Sequence, residues 1–167
     1  MRRAGQFLTL FAVLASSFYL VALWRPFDGF MYRYLEGNAR ITSALLRILG
    51  VDAQASGLSI VSPVFSIAVR RGCDGIEPAW IFAAAVLAYP LPLRRKTAVL
   101  PAGVALILGA NLVRILSLFL IGWRLPMLYP FAHLEFWPAA FMGLVIVMWL
   151  RWARQRPPRG MRTHGAA

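Results

Sequence analysis

The sequence predicts an all-α membrane protein of about four transmembrane helices, with an extracytoplasmic amphipathic helix and a short β-hairpin. Three observations carry this. The 167 residues are 60% hydrophobic, with a mean hydropathy of +0.65, too apolar for a domain that must clothe itself in polar surface. Four apolar segments are long enough to cross about 30 Å of hydrocarbon, which takes roughly 17–25 helical residues. Six Trp and five Tyr supply the amphipathic rings that settle at headgroup level.

The first segment runs from about Phe7 to Trp24, the second from about Ile76 to Leu93, the third from about Thr97 to Trp123 and the fourth from about Phe136 to Trp152. Ala15-Ser16-Ser17 is a passable signal-peptide cleavage site behind Arg2 and Arg3, but the apolar run continues to Trp24, which favours a retained anchor. Basic residues near the segment ends set orientation. Arg2 and Arg3, then Arg94, Arg95 and Lys96, then Arg151, Arg154, Arg156, Arg159 and Arg162 all fall on one side, which is read as cytoplasmic. The stretch from Arg25 to Asp74 is basic too and conflicts with the rule, but it is long and the other sites outvote it. Both termini are therefore expected inside, with the long loop outside. Residues 1–154 form a single transmembrane domain, and 155–167, basic and rich in Pro and Gly, a disordered cytoplasmic tail.

Within the long loop, Phe27, Met31, Tyr34, Asn38, Ile41, Leu45 and Ile48 recur at three- and four-residue steps, widened by Phe30, Leu35 and Leu49. This predicts an amphipathic helix on the outer membrane surface, with Asp28 as N-cap, a break near Gly37-Asn38 and a stop at Gly50. Leu58–Ile60 and Phe65–Val69 alternate around Ser62-Pro63, the pattern of a β-hairpin. It delivers the chain to Arg70-Arg71-Gly72-Cys73-Asp74-Gly75.

Net charge is +12, from 18 Lys+Arg against 6 Asp+Glu. Most of it flanks apolar runs, so it reads as topology signal and headgroup contact. No basic stripe interleaved with aromatics supports nucleic-acid binding. Cys73 is the only cysteine, which excludes an intrachain disulfide and a dithiol oxidoreductase. Two histidines without a Cys/His cluster make no zinc site, and no cofactor is implied.

Three residues carry chemistry. Cys73 lies between a di-arginine and Asp-Gly at the mouth of the second segment, where cationic neighbours of that kind favour a nucleophilic thiolate; the bland reading is a small buried hydrophobe. Gly72 and Gly75 permit close approach by a substrate. Glu77, four residues on, either supports the site or pairs with Arg70 or Arg71. Arg114 stands inside the third segment, where a charge costs at least about 2.5–3.5 kcal/mol at mid-bilayer. It follows Thr97 by 17 residues, roughly 25 Å of helix, which brings it level with Cys73 in the outer leaflet. Asn111 and Ser117 flank it on the same face. Its bland reading is a snorkelling ion pair with Glu77 or Glu135. His133, just ahead of the fourth segment, is either a solvated loop residue or the base that a thiol nucleophile needs; Pro138 suits the first turn of the helix that follows.

At these residues the chain resembles the exosortase/archaeosortase family of membrane cysteine transpeptidases, and most closely the short form called exosortase H. The pattern is Cys-x-Gly at one helix start, Asn-x-x-Arg within the next and His before the following one: here Cys73-Asp74-Gly75, Asn111-Leu112-Val113-Arg114 and His133. The longer members' extra N-terminal helices are absent, and Asp74 stands where other small polar residues are common. The resemblance implies a multi-pass protein of the bacterial inner membrane with its active site on the periplasmic side. It implies exported substrates with a C-terminal sorting tail: a short motif (Ile-Pro-Thr-Leu-like for the H form), a transmembrane helix and a basic cluster. Cys73 would attack, Arg114 would stabilise the oxyanion and His133 would serve as acid and base, with Asn111, Glu77, Arg71 and Gly75 supporting or binding substrate. Gly103, Ala105, Gly109 and Ala110 offer a small-residue surface for the substrate's helix. The competing readings are a non-enzymatic assembly scaffold and a lipid handler that binds anionic headgroups through Arg70, Arg71 and Arg124.

Overall fold

The structure is a computed structural model that describes residues 2–154; the tail expected at 155–167, and His164 with it, lies outside them. In chain order, α1 spans Arg2–Ala22, α2 Arg25–Ile48, β1 Gln54–Ser56, β2 Ser59–Val61, β3 Ser66–Ala68, α3 Ile76–Ala88 and α4 Leu93–Arg124. A 3-10 turn at Pro126–Leu128, the single turn α5 at Tyr129–Phe131 and a π-turn at Ala132–Phe136 then run directly into α6, Trp137–Ala153. The link expected as a loop before the fourth span is therefore helical.

Among the described residues, three stretches are long and apolar enough to cross a membrane: Ala4–Ala22, Leu93–Arg124 and Pro126–Ala153. The second expected span is shorter than its apolar run. α3 has 13 residues, about 20 Å of helix. It stops because Tyr89, which precedes Pro90, is extended at φ −68° and ψ 134°; a proline ring disfavours the α-region for the residue before it. Buried Lys96 donates from Nζ to the Leu87 carbonyl at 2.7 Å, placing a cation where the helix C-terminus needs a donor.

α3 packs on α1, α4 and α6. The rings of Phe7, Tyr89 and Trp149 meet with centroids 5.6–6.1 Å apart. The start of α1, the α3–α4 link and the end of α6 therefore share one end of the bundle. The sheet and the Cys73 loop occupy the other. Gly103 is pressed against the Phe82 ring, which a Cβ would approach to 2.2 Å. That part of the small-residue surface on α4 is thus filled by α3 itself, whereas Gly109 is open.

α2 runs through Gly37 and Asn38 without a break, and its cap is Trp24; Asp28 falls in the first turn. Its buried face is Met31, Leu35, Asn38, Ala39, Thr42, Ser43 and Leu46, while Ile41 and Ile48 of the expected stripe are exposed. The difference has a steric cause. Small side chains let β1, β2 and α4 close onto the helix, and the fully buried Ile60 fills the joint. Gly50, at φ +81°, ends the segment in the left-handed conformation.

The sheet is antiparallel in the order β1-β2-β3. The expected hairpin is β2–β3, and β1 adds a strand that the sequence does not announce. Gly57 takes φ +58° at the first position of the two-residue β1–β2 turn, where a type II′ turn needs glycine.

Candidate active site

The approach to Cys73 is built by main-chain geometry. After buried Val69 the chain turns, with the Cys73 N–H donating to the Arg70 carbonyl at 3.1 Å. Gly72 and Gly75 take φ +83° and +77°, open to glycine without strain. Asp74 is buried between them. Its Oδ2 accepts from the Gly72 N–H at 3.1 Å and its Oδ1 from the Ile76 N–H at 2.8 Å. The carboxylate thus closes the turn and meets the first donor of α3, where negative charge is favoured. The Tyr34 hydroxyl donates to the Asp74 carbonyl at 2.7 Å, and burial pushes that phenol above its ordinary pKa.

α4 lies beneath. A Cβ at Gly75 would meet the Asn111 Cβ at 2.9 Å, so glycine is required there for contact as well as conformation. Asn111 is fully buried, and among the described residues neither of its amide atoms has a partner. One turn on, Arg114 is 6% exposed. Its position is tied across helices: Trp137 Nε1 donates to Ser117 Oγ at 3.1 Å, and Ser117 donates to the Arg114 carbonyl at 2.8 Å. The guanidinium carbon lies 5.8 Å from the centroid of the Phe141 ring, within cation–π range.

His133 comes from the π-turn. Pro138 has no N–H for the Leu134 carbonyl, so the usual helical bond is missing at this point and the turn widens. Such turns are frequent at functional sites. The imidazole lies parallel to the Tyr129 ring, 7° between planes and 5.6 Å between centroids.

These elements bring three side chains together. Cys73 Sγ is 3.8 Å from His133 Nε2 and 3.6 Å from an Arg114 terminal nitrogen. The thiol opens on a cleft of about 480 Å³ that also touches Phe65, Ser66, Ile67, Ala68, Tyr129 and His133. A second, apolar groove between α3 and α6, of about 260 Å³, reaches Arg114 from the other side past Pro78, Ile81, Pro138 and Met142.

The supporting residues divide. Gly75 and Asn111 pack directly under the thiol's loop. Arg71 pairs with exposed Asp28 rather than with Glu77, and Glu77 accepts from the Tyr19 hydroxyl at 3.2 Å. Neither lines the cleft that holds the thiol. Among the described residues Arg114 has no carboxylate partner, so the bland alternative for it, an ion pair with Glu77 or Glu135, does not form. Sequence reasoning missed three contributors: Asp74, Tyr129 and the Trp137–Ser117 brace. An Asp two residues before a helix start, and a Tyr one turn before the only His among the described residues, were the available signals.

No curated protein and no solved structure matches the chain. A family model described as Transmembrane exosortase (Exosortase_EpsH) matches residues 3–152, from the start of α1 almost to the end of α6. That stretch takes in every element from which the thiol site is built, and the chain belongs to the transmembrane exosortases, membrane transpeptidases, generally of cysteine type, that act on the sorting signals of exported proteins.

Proposed function

We propose that this chain cleaves the C-terminal sorting tail of exported proteins, with Cys73 as nucleophile, His133 as acid and base and Arg114 as oxyanion donor. One observation carries the reading: a single thiol lies within 4 Å of both an imidazole nitrogen and a guanidinium nitrogen that come from different helices. These separations are within reach of proton transfer once a substrate tightens the site.

The steps follow from those contacts. His133 takes the thiol proton as sulfur attacks the peptide carbonyl carbon. The carbonyl oxygen becomes an oxyanion, and Arg114 donates to it from a buried position where such a bond is strong. The C–N bond then breaks, His133 returns the proton to the leaving amine, and an acyl thioester stays on Cys73. Water, or an amine or hydroxyl acceptor, attacks the thioester and releases the thiol. Asn111 supports the site by filling the space under Gly75.

The membrane assignment belongs to the same proposal: a bacterial inner membrane, both termini cytoplasmic, the thiol on the periplasmic side. Supporting it, Arg94, Arg95 and Lys96 at the start of α4 and the Arg151 end of α6 share the bundle end opposite the thiol. The substrate is an exported protein with an Ile-Pro-Thr-Leu-like motif, an apolar helix and a basic cluster.

The test is Cys73→Ala in cells that carry a tailed reporter. Uncleaved reporter accumulates if the reading holds; normal processing overturns it. Labelling Cys73 with an impermeant thiol-directed electrophile, with and without His133→Ala, separates enzyme from scaffold. An enzyme's thiol reacts from outside and slows without the imidazole, whereas a scaffold's thiol is indifferent to it.

A further inference from the structure

We propose that β3 is a peptide-reading edge, along which the substrate segment ahead of the scissile bond lies as a fourth strand bonded through its main chain. The proposal takes Cys73 as the nucleophile, as above, and concerns how the peptide reaches it.

The order β1-β2-β3 leaves one side of β3 unpaired. The phase of the ladder identifies what stands there. The Val69 N–H donates to the Leu58 carbonyl at 2.8 Å, and the same register sets Ile67 against Ile60 and Ala68 against Ser59. Hydrogen-bonded and non-bonded pairs alternate in an antiparallel ladder. Val69 and Ile67 therefore direct their main-chain groups at β2, and Ser66 and Ala68 direct theirs outward. Among the described residues no main-chain bond beyond the sheet, and no side-chain bond, reaches the N–H or C=O of either.

The strand that carries those outward groups borders the cleft of the reacting atoms. Ser66, Ile67 and Ala68 line the same cleft as Cys73 and His133, and only residues 69–72 separate β3 from the thiol. Edge strands are usually blunted by a charge, a proline or a bulge; Ser66-Ile67-Ala68 has none of these. A short open edge inside a cleft suits β-augmentation, in which main-chain bonds hold the peptide and pockets for alternate side chains select it. The occupant is an extended segment. Donors and acceptors on Ser66 and Ala68 repeat at about two strand residues, roughly 6.8 Å, a spacing that an extended chain matches and a helix, bonded to itself, does not.

The experiment scans the peptide, not the protein. A synthetic tail peptide, with an Ile-Pro-Thr-Leu-like motif ahead of its apolar helix, is N-methylated at one main-chain N–H at a time and cut by the full chain in lipid nanodiscs. Expected is an alternating profile upstream of the cut: loss of one bond lowers kcat/KM about tenfold at every second position and little between them. Ala68→Pro is the matching protein variant, since proline is tolerated on an edge strand where its missing N–H faces away from the ladder. It should weaken kcat/KM by a similar factor, mainly through KM, while the rate of Cys73 alkylation by iodoacetamide is unchanged. A flat profile from the peptide scan overturns the edge strand and leaves the nucleophile in place, and wild-type turnover by Ala68→Pro does the same. Failure of the wild type to cut the unmodified peptide overturns the nucleophile reading and the edge strand with it.

Discussion

The Tyr129 ring lies parallel to the His133 imidazole, one helical turn away, with 7° between planes and 5.6 Å between centroids, and the Phe65 ring packs against it at 63°, 6.1 Å between centroids. The imidazole is thus held on one face by an aromatic plate that is itself wedged against the cleft wall. Tyr129→Ala removes the plate and frees the ring to turn away from Cys73. Turnover of a tailed substrate should fall about tenfold, because small misplacements of a reacting group are costly. Tyr129→Phe keeps the plate and should stay close to wild type. Equal losses in the two variants would assign the effect to the hydroxyl.

Arg114→Lys keeps the charge and discards the planar fork. Loss of a preorganised oxyanion donor costs about 10²–10³ in kcat, and that loss is expected here with folding intact in a thermal melt. Full activity would reduce Arg114 to a charge.

Asp74→Ala strips the Gly72 and Ile76 N–H groups of their acceptor. Ile76 is half-buried and Gly72 exposed, so water answers part of the loss; an ordinary hydrogen bond is worth about 0.5–1.5 kcal/mol, and the unfolding midpoint in detergent should drop by a few degrees. Asp74→Asn retains one oxygen and should recover part of the loss.

Gly75→Ala forces a side chain into the left-handed region and onto Asn111. The expected destabilisation is roughly 1–3 kcal/mol, read as a lower melting temperature. Shrinking the neighbour as well, in Gly75→Ala with Asn111→Ala, should relieve the contact but not the conformational part.

The Tyr34 phenol titrates above its ordinary value when folded. The native state therefore holds a proton that the unfolded chain releases, and stability declines as pH rises past about 10. Tyr34→Phe loses the bond to the Asp74 carbonyl, about 1 kcal/mol, and removes its share of that alkaline decline. A melt series from pH 8 to about 11 reads both.

Much of this was legible in the sequence because membranes punish exceptions. An arginine amid Gly109–Ser117 and a cysteine between arginines and Asp-Gly stand out against apolar runs, and helix rise alone brought the two to one level. What stayed hidden depends on shape rather than polarity. The buried face of α2 is chosen by the small Asn38, Ala39, Thr42 and Ser43, so ranking by hydrophobicity selects Ile41 and Ile48, which are exposed. β1 is Gln54-Ala55-Ser56, without a β-branched or aromatic residue, and exists because β2 offers it a partner. The partners of Arg71 and Glu77 come from α2 and α1, distant in sequence, so no local spacing could reveal them.

The brevity of α3 has a consequence for insertion. In the four-span reading its length of about 20 Å falls short of the roughly 30 Å hydrocarbon core, so the bilayer thins around it or irregular chain at an end of it meets the hydrocarbon border, where water serves the peptide groups poorly. Such chain survives only when the protein answers its N–H and C=O groups from within. The Asp74 carboxylate, the Tyr34 hydroxyl and the Lys96 ammonium do this at the two ends of α3. A substitution at any of the three is therefore felt twice: as a looser fold, and as a segment that the insertion machinery hands to the bilayer less readily.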